Sequence, residues 1–372
     1  MQKKFLAFLL VLLCCASAFA EDSAVKKAIQ PFIDSGAMPG VVSILSSDGR
    51  LQIDCMGWAN VEKQVPISEN SFFWIASMTK GITAAAFVML VDEGKVSLED
   101  PVEKYLPEFR NVRAGVKNED GSVTLRAPKS KMTLRQVLSH TAGFTFITPQ
   151  MQQFGIDVFS MRHLASTAVN VPLLCEPGTE FHYSNVGIDV AAAVMEVVTG
   201  KSLEENLQER IFDPLGMTET TFHPTPEQLS RLVSCYAIQT GKCVPAQTPF
   251  LQTPYDAPSR CAEAGGGLFS TPLDVMKFYR MLASRGVFDG KRILSENAFE
   301  IFTKKQTPDS VSEPYALGMW IRDSWLGHGG ALGTDAKANF LTNQVWLFFV
   351  QIEGTAPCKD AWLKAAGETP AL

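Results

Sequence analysis

The 372-residue sequence has no Gly-x-Ser-x-Gly pattern, and so lacks the turn by which a Ser-His-Asp hydrolase usually shows its nucleophile. It has no excess of positive charge: 33 Lys and Arg stand against 39 Asp and Glu, for a net charge of −6. That balance favours solubility and offers no basic surface to a nucleic acid. Histidine is scarce, at five residues. No Cys or His pair stands at ligand spacing near another, so a zinc site is not expected, and the chemistry of the motifs below needs no metal or organic cofactor. No low-complexity tract and no repeat occurs. After residue 20 no apolar run is long enough to cross a bilayer.

Residues 1–20 read as a secretory leader. Lys3 and Lys4 precede the short apolar run Phe5 to Leu13, and Ala18-Phe19-Ala20 fits a small-x-small cleavage site. Export to the periplasm or medium, with cleavage near Ala20, is the expectation. Lipoprotein processing at Cys14 or Cys15 is the alternative, for which Leu12 and Leu13 are poor neighbours. Cleavage removes two lysines and no acids, so the charge becomes 31 − 39 = −8. About 350 residues then remain, more than one core usually serves, and two packed lobes are expected. Six cysteines also remain. In an exported chain an even count invites disulfides. Cys235 and Cys243 flank the turn signal Thr240-Gly241, where a cross-hairpin bridge and buried free thiols are both open readings.

Strand patterns lie at the two ends. Val41 to Ser46 and Leu51 to Trp58 flank Ser47-Asp48-Gly49-Arg50 as a hairpin. Short β-like runs return at Leu317 to Arg322 and Val345 to Ile352. Helices fill the middle: Ser77 to Glu93 stopped by Gly94, a capped start at Thr133, Asn185 to Val198 stopped by Gly200, Ser202 to Ile211, and a start at Thr271-Pro272. Residues 111–131 read as an exposed loop or ribbon. The simplest assembly is an α/β (α+β) fold, an antiparallel sheet built from both termini and flanked by helices, with a helical domain inserted. The expected division is 21–75 plus 290–372 for the sheet domain and 76–289 for the helical one. The active site would lie at their interface.

Ser77-Met78-Thr79-Lys80 carries the most chemistry. The stretch Gly81 to Leu90 after it is apolar nearly all round, as in a helix buried in a large core. Residues three apart share a helix face, so Ser77 and Lys80 can meet. Burial disfavours an ammonium, which lets a lysine act as a neutral base toward a serine hydroxyl. The helix dipole favours negative charge developing at its N-terminal end. The same spacing at Ser23-Ala24-Val25-Lys26 has no buried helix after it and reads as chance. Tyr183-Ser184-Asn185 follows a turn and precedes a helix, a place from which a tyrosine can project into a cleft and relay a proton beside a cation. Packing over the helix start is the plainer reading of that tripeptide alone. Gly327-His328-Gly329-Gly330-Ala331 lets backbone approach a ligand closely and could offer N–H groups to an oxyanion, with His328 donating to a substrate carbonyl or carboxylate. A glycine-rich strand turn without catalytic role is again the plainer alternative. The segments 144–170 and 222–260 are expected to line the cleft.

Together these three features resemble the serine β-lactamase and penicillin-binding-protein superfamily, and within it the class C β-lactamase-like branch with its family VIII carboxylesterases and DD-peptidases. That family has Ser-x-x-Lys, then Tyr-x-Asn, then a Lys/His/Trp-x-Gly triad, found here in order at Ser77–Lys80, Tyr183–Asn185 and His328–Gly330. Leu138-Ser139-His140-Thr141-Ala142-Gly143, Pro177-Gly178-Thr179, Phe212-Asp213-Pro214-Leu215-Gly216-Met217 and Ala264-Gly265-Gly266-Gly267-Leu268 resemble it too. The resemblance implies a nucleophilic Ser77, with Lys80 and Tyr183 sharing the base role. It implies that Asn185 holds Lys80 and the substrate, and that the N–H groups of Ser77 and Ala331 form the oxyanion hole. His328 with Gly329 and Gly330 would bind substrate. True class C β-lactamases usually carry a lysine at the His328 position. A histidine is largely neutral at pH 7 and suits ester or peptide substrates better than an antibiotic carboxylate. Gly333-Thr334 is also more like the esterase-type members. The expectation is therefore a serine hydrolase acting through an acyl-enzyme on a small ester. D-Ala-D-Ala carboxypeptidase or weak β-lactamase activity on an amide or β-lactam is the alternative. A non-catalytic penicillin binder would be expected to lack Ser77, Lys80 or Tyr183, and all three are present.

Overall fold

Within Val345 to Ile352 the first six residues, Val345 to Val350, are apolar without alternation, the pattern of a strand covered on both faces. In the computed structural model, which describes residues 23–367 apart from 48, 119 and 355, the strand Gln344–Phe349 sends Val345, Leu347 and Phe349 into a large core. Trp346 and Phe348 go into a smaller one on the opposite face, as the two-residue side-chain period requires. The strand pairs antiparallel with Gly40–Ser47 from the other end of the chain, from Val42 opposite Phe349 to Ser46 opposite Val345. The expected hairpin is present, with Gly40–Ser47 running against Arg50–Asn60. The full sheet has seven antiparallel strands in the order Trp320–Arg322, Trp325–Gly329, Asp335–Asn339, Gln344–Phe349, Gly40–Ser47, Arg50–Asn60, Val65–Pro66. The leader read in residues 1–20 lies outside the described residues.

Helices cover both faces. Ala24–Asp34 and Lys359–Ala366 pack on each other over the smaller core. Ser23, the serine of the chance Ser-x-x-Lys, caps the first of them by accepting from the Lys26 N–H. Trp362 is fully buried there, against Phe348 and Trp346, and its indole N–H donates to the buried Ser43 Oγ at 2.8 Å. Trp362→Ala should therefore cost about 3–5 kcal/mol of stability, measured by urea unfolding, and should leave a folded protein's ester turnover nearly intact.

On the other face Pro272–Ala283 packs across Asp335–Asn339 and Gln344–Phe349. The helix Thr79–Asp92 is buried at every residue from Thr79 to Val88 and lies between Asn185–Thr199 and Glu296–Thr303. Gly94 and Gly200 stand just past the ends of two of these helices with φ +68° and +69°, a left-handed turn open to glycine. Between the sheet's two halves the chain also carries two-stranded ribbons, among them Ala114–Lys117 with Val123–Arg126 in the polar 111–131 stretch.

The strand read at Leu317 to Arg322 is shorter, Trp320–Arg322. Gly318, at φ +67°, turns there, and a β-carbon on it would stand 2.6 Å from the Lys80 carbonyl oxygen. All six cysteines among the described residues are free. In the ribbon Tyr236–Gln239 with Lys242–Pro245, Cys243 pairs with Ile238. Cys235 is three positions before Ile238, an odd offset that places it on the other face, where it joins the larger core while Cys243 packs against the smaller, so no cross-hairpin bridge forms.

Candidate active site

Ser77 stands on a strained turn. Ala76 adopts φ +44°, a left-handed conformation that costs an L-residue roughly 1–2 kcal/mol. The expected helix from Ser77 therefore opens as a 3-10 turn, Ala76–Met78, before the α-helix Thr79–Asp92 begins. Thr79 Oγ1 donates to the Ala76 carbonyl at 2.6 Å and accepts from the Leu268 N–H at 3.2 Å. The Ile75 N–H donates to the Leu268 carbonyl at 3.0 Å, and the Trp74 indole to Gly266 O at 2.6 Å. The segment Ala264 to Leu268 thus braces the turn. Ser77 is half-buried and Lys80 fully buried, so the serine forms the more exposed end of the pair and the amine the interior end.

Lys80 Nζ meets three oxygens. Ser77 Oγ is at 3.0 Å, Asn185 Oδ1 at 2.7 Å, and the Gly265 carbonyl is the third. Asn185 reaches it from the first turn of Asn185–Thr199, a helix capped by Ser184, which accepts from the Gly187 N–H and donates to Thr145 O. The Gly265 carbonyl was not foreseen. A β-carbon on Gly265 would come within 2.9 Å of both Asn185 and Glu263 side-chain atoms, so only glycine lets the backbone approach this closely.

Tyr183 lies just before that helix. Lys80 Nζ is 4.8 Å from its ring centre, and its hydroxyl is 3.2 Å from His328 Nε2. The tautomer of His328 follows from its other nitrogen. Nδ1 is 2.7 Å from Gly329 O, which can only accept, so Nδ1 carries the proton and Nε2 accepts from Tyr183. Burial first, and the charge of Lys80 second, push His328 down to about 3. It is a neutral ring with both nitrogens engaged by the protein.

The strand end beyond His328 reaches the Ser77 turn through Gly330. A β-carbon there would stand 2.6 Å from Ile75 O and would strike Thr334 Oγ1. Gly330 N–H donates to Thr334 O at 2.6 Å. Glycine at 330 thus brings Gly329 and Ala331, both exposed, alongside the turn that holds Ser77.

Two further groups shape the Tyr183 side. His140, at φ +60° and buried, accepts at Nδ1 from the Ser184 N–H at 3.3 Å, which leaves Nε2–H for the Tyr315 hydroxyl at 3.1 Å. Burial first, then the charge of Lys80, holds it well below the usual range. Its neutral ring supports Tyr183 at 4.7 Å. Phe146 stacks on Tyr183 at 6.0 Å and meets Phe250 edge-on at 6.1 Å. These two exposed rings come from the two segments expected to line the cleft. Among the described residues, Cys175, Glu180 and His182 bring three metal-capable atoms within 4.8 Å. Glu180 Oε2 and His182 Nε2 lie 3.1 Å apart at the surface, on the loop ahead of Tyr183.

The sequence model of the beta-lactamase family matches residues 25–364. Lovastatin esterase of Penicillium rubens is 31% identical over 286 residues, 74% of this chain and 69% of that protein. The D-alanyl-D-alanine-carboxypeptidase/endopeptidase AmpH of Escherichia coli is 27% identical over 309 residues, 82% of this chain and 74% of its own. Among solved structures, unliganded simvastatin synthase of Aspergillus terreus is similar in fold. Its TM-score is 0.77 at 22% identity, over 92% of this chain and 96% of that one. The family match takes in every strand of the sheet and both helices that frame Lys80, so the chain belongs to the beta-lactamase family and is a serine hydrolase.

Proposed function

We propose that the chain is an exported carboxylesterase that acts on small esters through an acyl-enzyme on Ser77, with Lys80 and Tyr183 sharing the proton work. The observation that carries this is the contact set of Lys80. Asn185 Oδ1 and Gly265 O only accept, so they take two N–H bonds of the amine in either charge state. The third position faces Ser77 Oγ at 3.0 Å. When that position is a lone pair, Lys80 takes the Ser77 proton as Oγ attacks the ester carbonyl. The N–H groups of Ser77 and Ala331 receive the tetrahedral oxyanion. Tyr183, whose ring lies beside Lys80 and whose hydroxyl meets His328, passes the proton to the departing alcohol as its C–O bond breaks. Water then repeats the sequence on the acyl-enzyme. Export rests on the leader pattern of residues 1–20.

Two features favour an uncharged ester. His328 is neutral and offers no cation to a β-lactam carboxylate. Phe146 and Phe250 give the mouth an apolar wall suited to an acyl chain. D-Ala-D-Ala carboxypeptidase or weak β-lactamase activity would use the same residues and is the second reading, favoured by the likeness to AmpH.

A turnover panel separates them: short p-nitrophenyl esters, a chromogenic cephalosporin and a D-Ala-D-Ala peptide. The ester should lead the cephalosporin by about a hundredfold or more in kcat/KM. His328→Lys should move that ratio toward the cephalosporin by about tenfold or more, because it installs a permanent cation and removes the acceptor of the Tyr183 hydroxyl. A parent protein that prefers the cephalosporin or the peptide would overturn the ester reading.

A further inference from the structure

Behind Lys80 lie two carboxyl groups that the reaction above does not use. Asp189 and Glu263 are both fully buried. Asp189 stands one helical turn after Asn185, on the same face of its helix, and its Oδ1 accepts from the Ala264 N–H at 3.1 Å. Asp189 Oδ2 and both Glu263 oxygens have no hydrogen-bond partner. The Gly265 and Gly266 N–H groups lie near the Glu263 carboxyl and ease its charge, though they fall short of hydrogen-bond geometry. The glycine run folds tightly around this side chain. A β-carbon on Gly265 would be 2.7 Å from Glu263 Oε1, and one on Gly267 would be 2.7 Å from Glu263 O. Ala264 to Gly267 thus encloses Glu263 on one side and presents the Gly265 carbonyl to Lys80 on the other.

Unpaired carboxyl oxygens in a protein interior are costly. Next to a reactive amine, they point to a role in tuning it. The charges around them can be balanced. Arg260 is fully buried and has its own counter-ion in the fully buried Asp157, at 3.1 Å. It also donates to the carbonyls of Phe222 and Gly267. Cys261, in the same loop, is kept a neutral thiol by burial and by the two acids. Glu196, one further helical stretch along, accepts from the Leu203 N–H. That leaves Lys80 as the cation whose charge acts on both Glu263 and Asp189. Two cations and three acids balance when one acid keeps a proton.

We propose that Glu263 and Asp189 are a positioning pair for the base: they share one proton and hold one negative charge behind Lys80, where it stabilises the ammonium formed as Lys80 takes the Ser77 proton. The inference rests on the reading of Ser77 and Lys80 given above. Burial pushes both carboxyls up, Glu263 to about 7, and the Glu263 charge pushes Asp189 further, which agrees with a shared proton. No atom is transferred to the pair. The Ser77 proton moves to Lys80 and later leaves with the alcohol, while the pair supplies only its field.

A shared charge has a distinctive signature. In Glu263→Gln, Asp189 is free to carry the charge alone, and in Asp189→Asn, Glu263 is. Each single variant should lose only a few-fold in kcat and keep the acid limb of its pH profile near the parent's. In the double variant the charge is gone, and the ammonium loses its stabilisation. The acid limb should then move down by about one to two pH units, and kcat at its plateau should fall well beyond the product of the single losses. KM for the ester should change little, since neither group touches substrate. The measurement is kcat and KM for p-nitrophenyl acetate across pH on all four proteins, with thermal melts alongside. An unmoved limb in the double variant, or equal additive shifts in the singles, would overturn the proposal. If the double variant does not fold, the infrared spectrum of the parent decides. A protonated carboxylic-acid band persisting at neutral pH and lost in Glu263→Gln supports the shared proton, and its absence rejects it. Ser77→Ala is the separate control. If that variant still labels with a fluorophosphonate, the acyl-enzyme reading fails first and takes this one with it.

Discussion

Ser77→Ala is expected to take up no fluorophosphonate and to lose about 10³–10⁶-fold in ester turnover, since removing a nucleophile leaves only what the oxyanion hole and binding supply. The structure gives reasons to expect so clean a loss. Ser77 Oγ is the one partner of Lys80 Nζ that can give up a proton, the other two being an amide oxygen and a backbone carbonyl. The φ +44° turn at Ala76 does not involve the Ser77 side chain, and its bracing runs through Thr79, Leu268 and Ile75. Stability should therefore change by less than about 1 kcal/mol, and a loss of activity would not reflect unfolding. Intact mass after fluorophosphonate treatment reads the outcome directly: one adduct on the parent, none on the variant. Undiminished labelling of Ser77→Ala would place the nucleophile elsewhere.

The parts of this site that could be read in the sequence are those whose cause is local. A helix apolar nearly all round from Gly81 to Leu90 has to be buried, and a serine three residues before its lysine has to meet it. A capping serine before Asn185 and a glycine at 200 mark where the second helix begins and ends, and so place Tyr183 just outside it. The continuous apolar run at 345–350 gives away a strand covered on both faces, as the split between its Leu347 and Trp346 sides confirms. What could not be read depends on atoms far apart in the chain. The third acceptor of Lys80 is a backbone oxygen at Gly265, to which no side-chain motif points. The tautomer of His328 is set by a carbonyl whose direction exists only once the strand has turned. The Cys235–Cys243 bridge failed on a register that the turn decides. Asp189 and Glu263 look like ordinary surface acids by type, and only the packed structure shows them buried together behind Lys80.

The second large effect concerns how the proton is divided. Lys80→Ala should lower the acylation rate by about 10³–10⁴-fold and Tyr183→Phe by about 10²–10³-fold, within the range of a lost general base or acid. Tyr183→Phe is the more surgical of the two. It keeps the ring that stacks on Phe146 and lies 4.8 Å from Lys80 Nζ, and it removes only the hydroxyl that His328 Nε2 accepts. Lys80→Ala leaves Asn185 Oδ1 and Gly265 O without their donor, so its melting temperature has to be followed with its rate. The informative number is the double variant. If Lys80 takes the proton from Ser77 and Tyr183 passes it on, the two work on one proton in sequence, and losing the second matters little once the first is gone. The double variant should then be close to Lys80→Ala alone, with burst-phase acylation of a p-nitrophenyl ester as the readout. Losses that multiply in full would show two independent roles. The hydroxyl of Tyr183 would then be better read as a fixed donor to His328, holding the mouth of the cleft, than as a relay for the Ser77 proton.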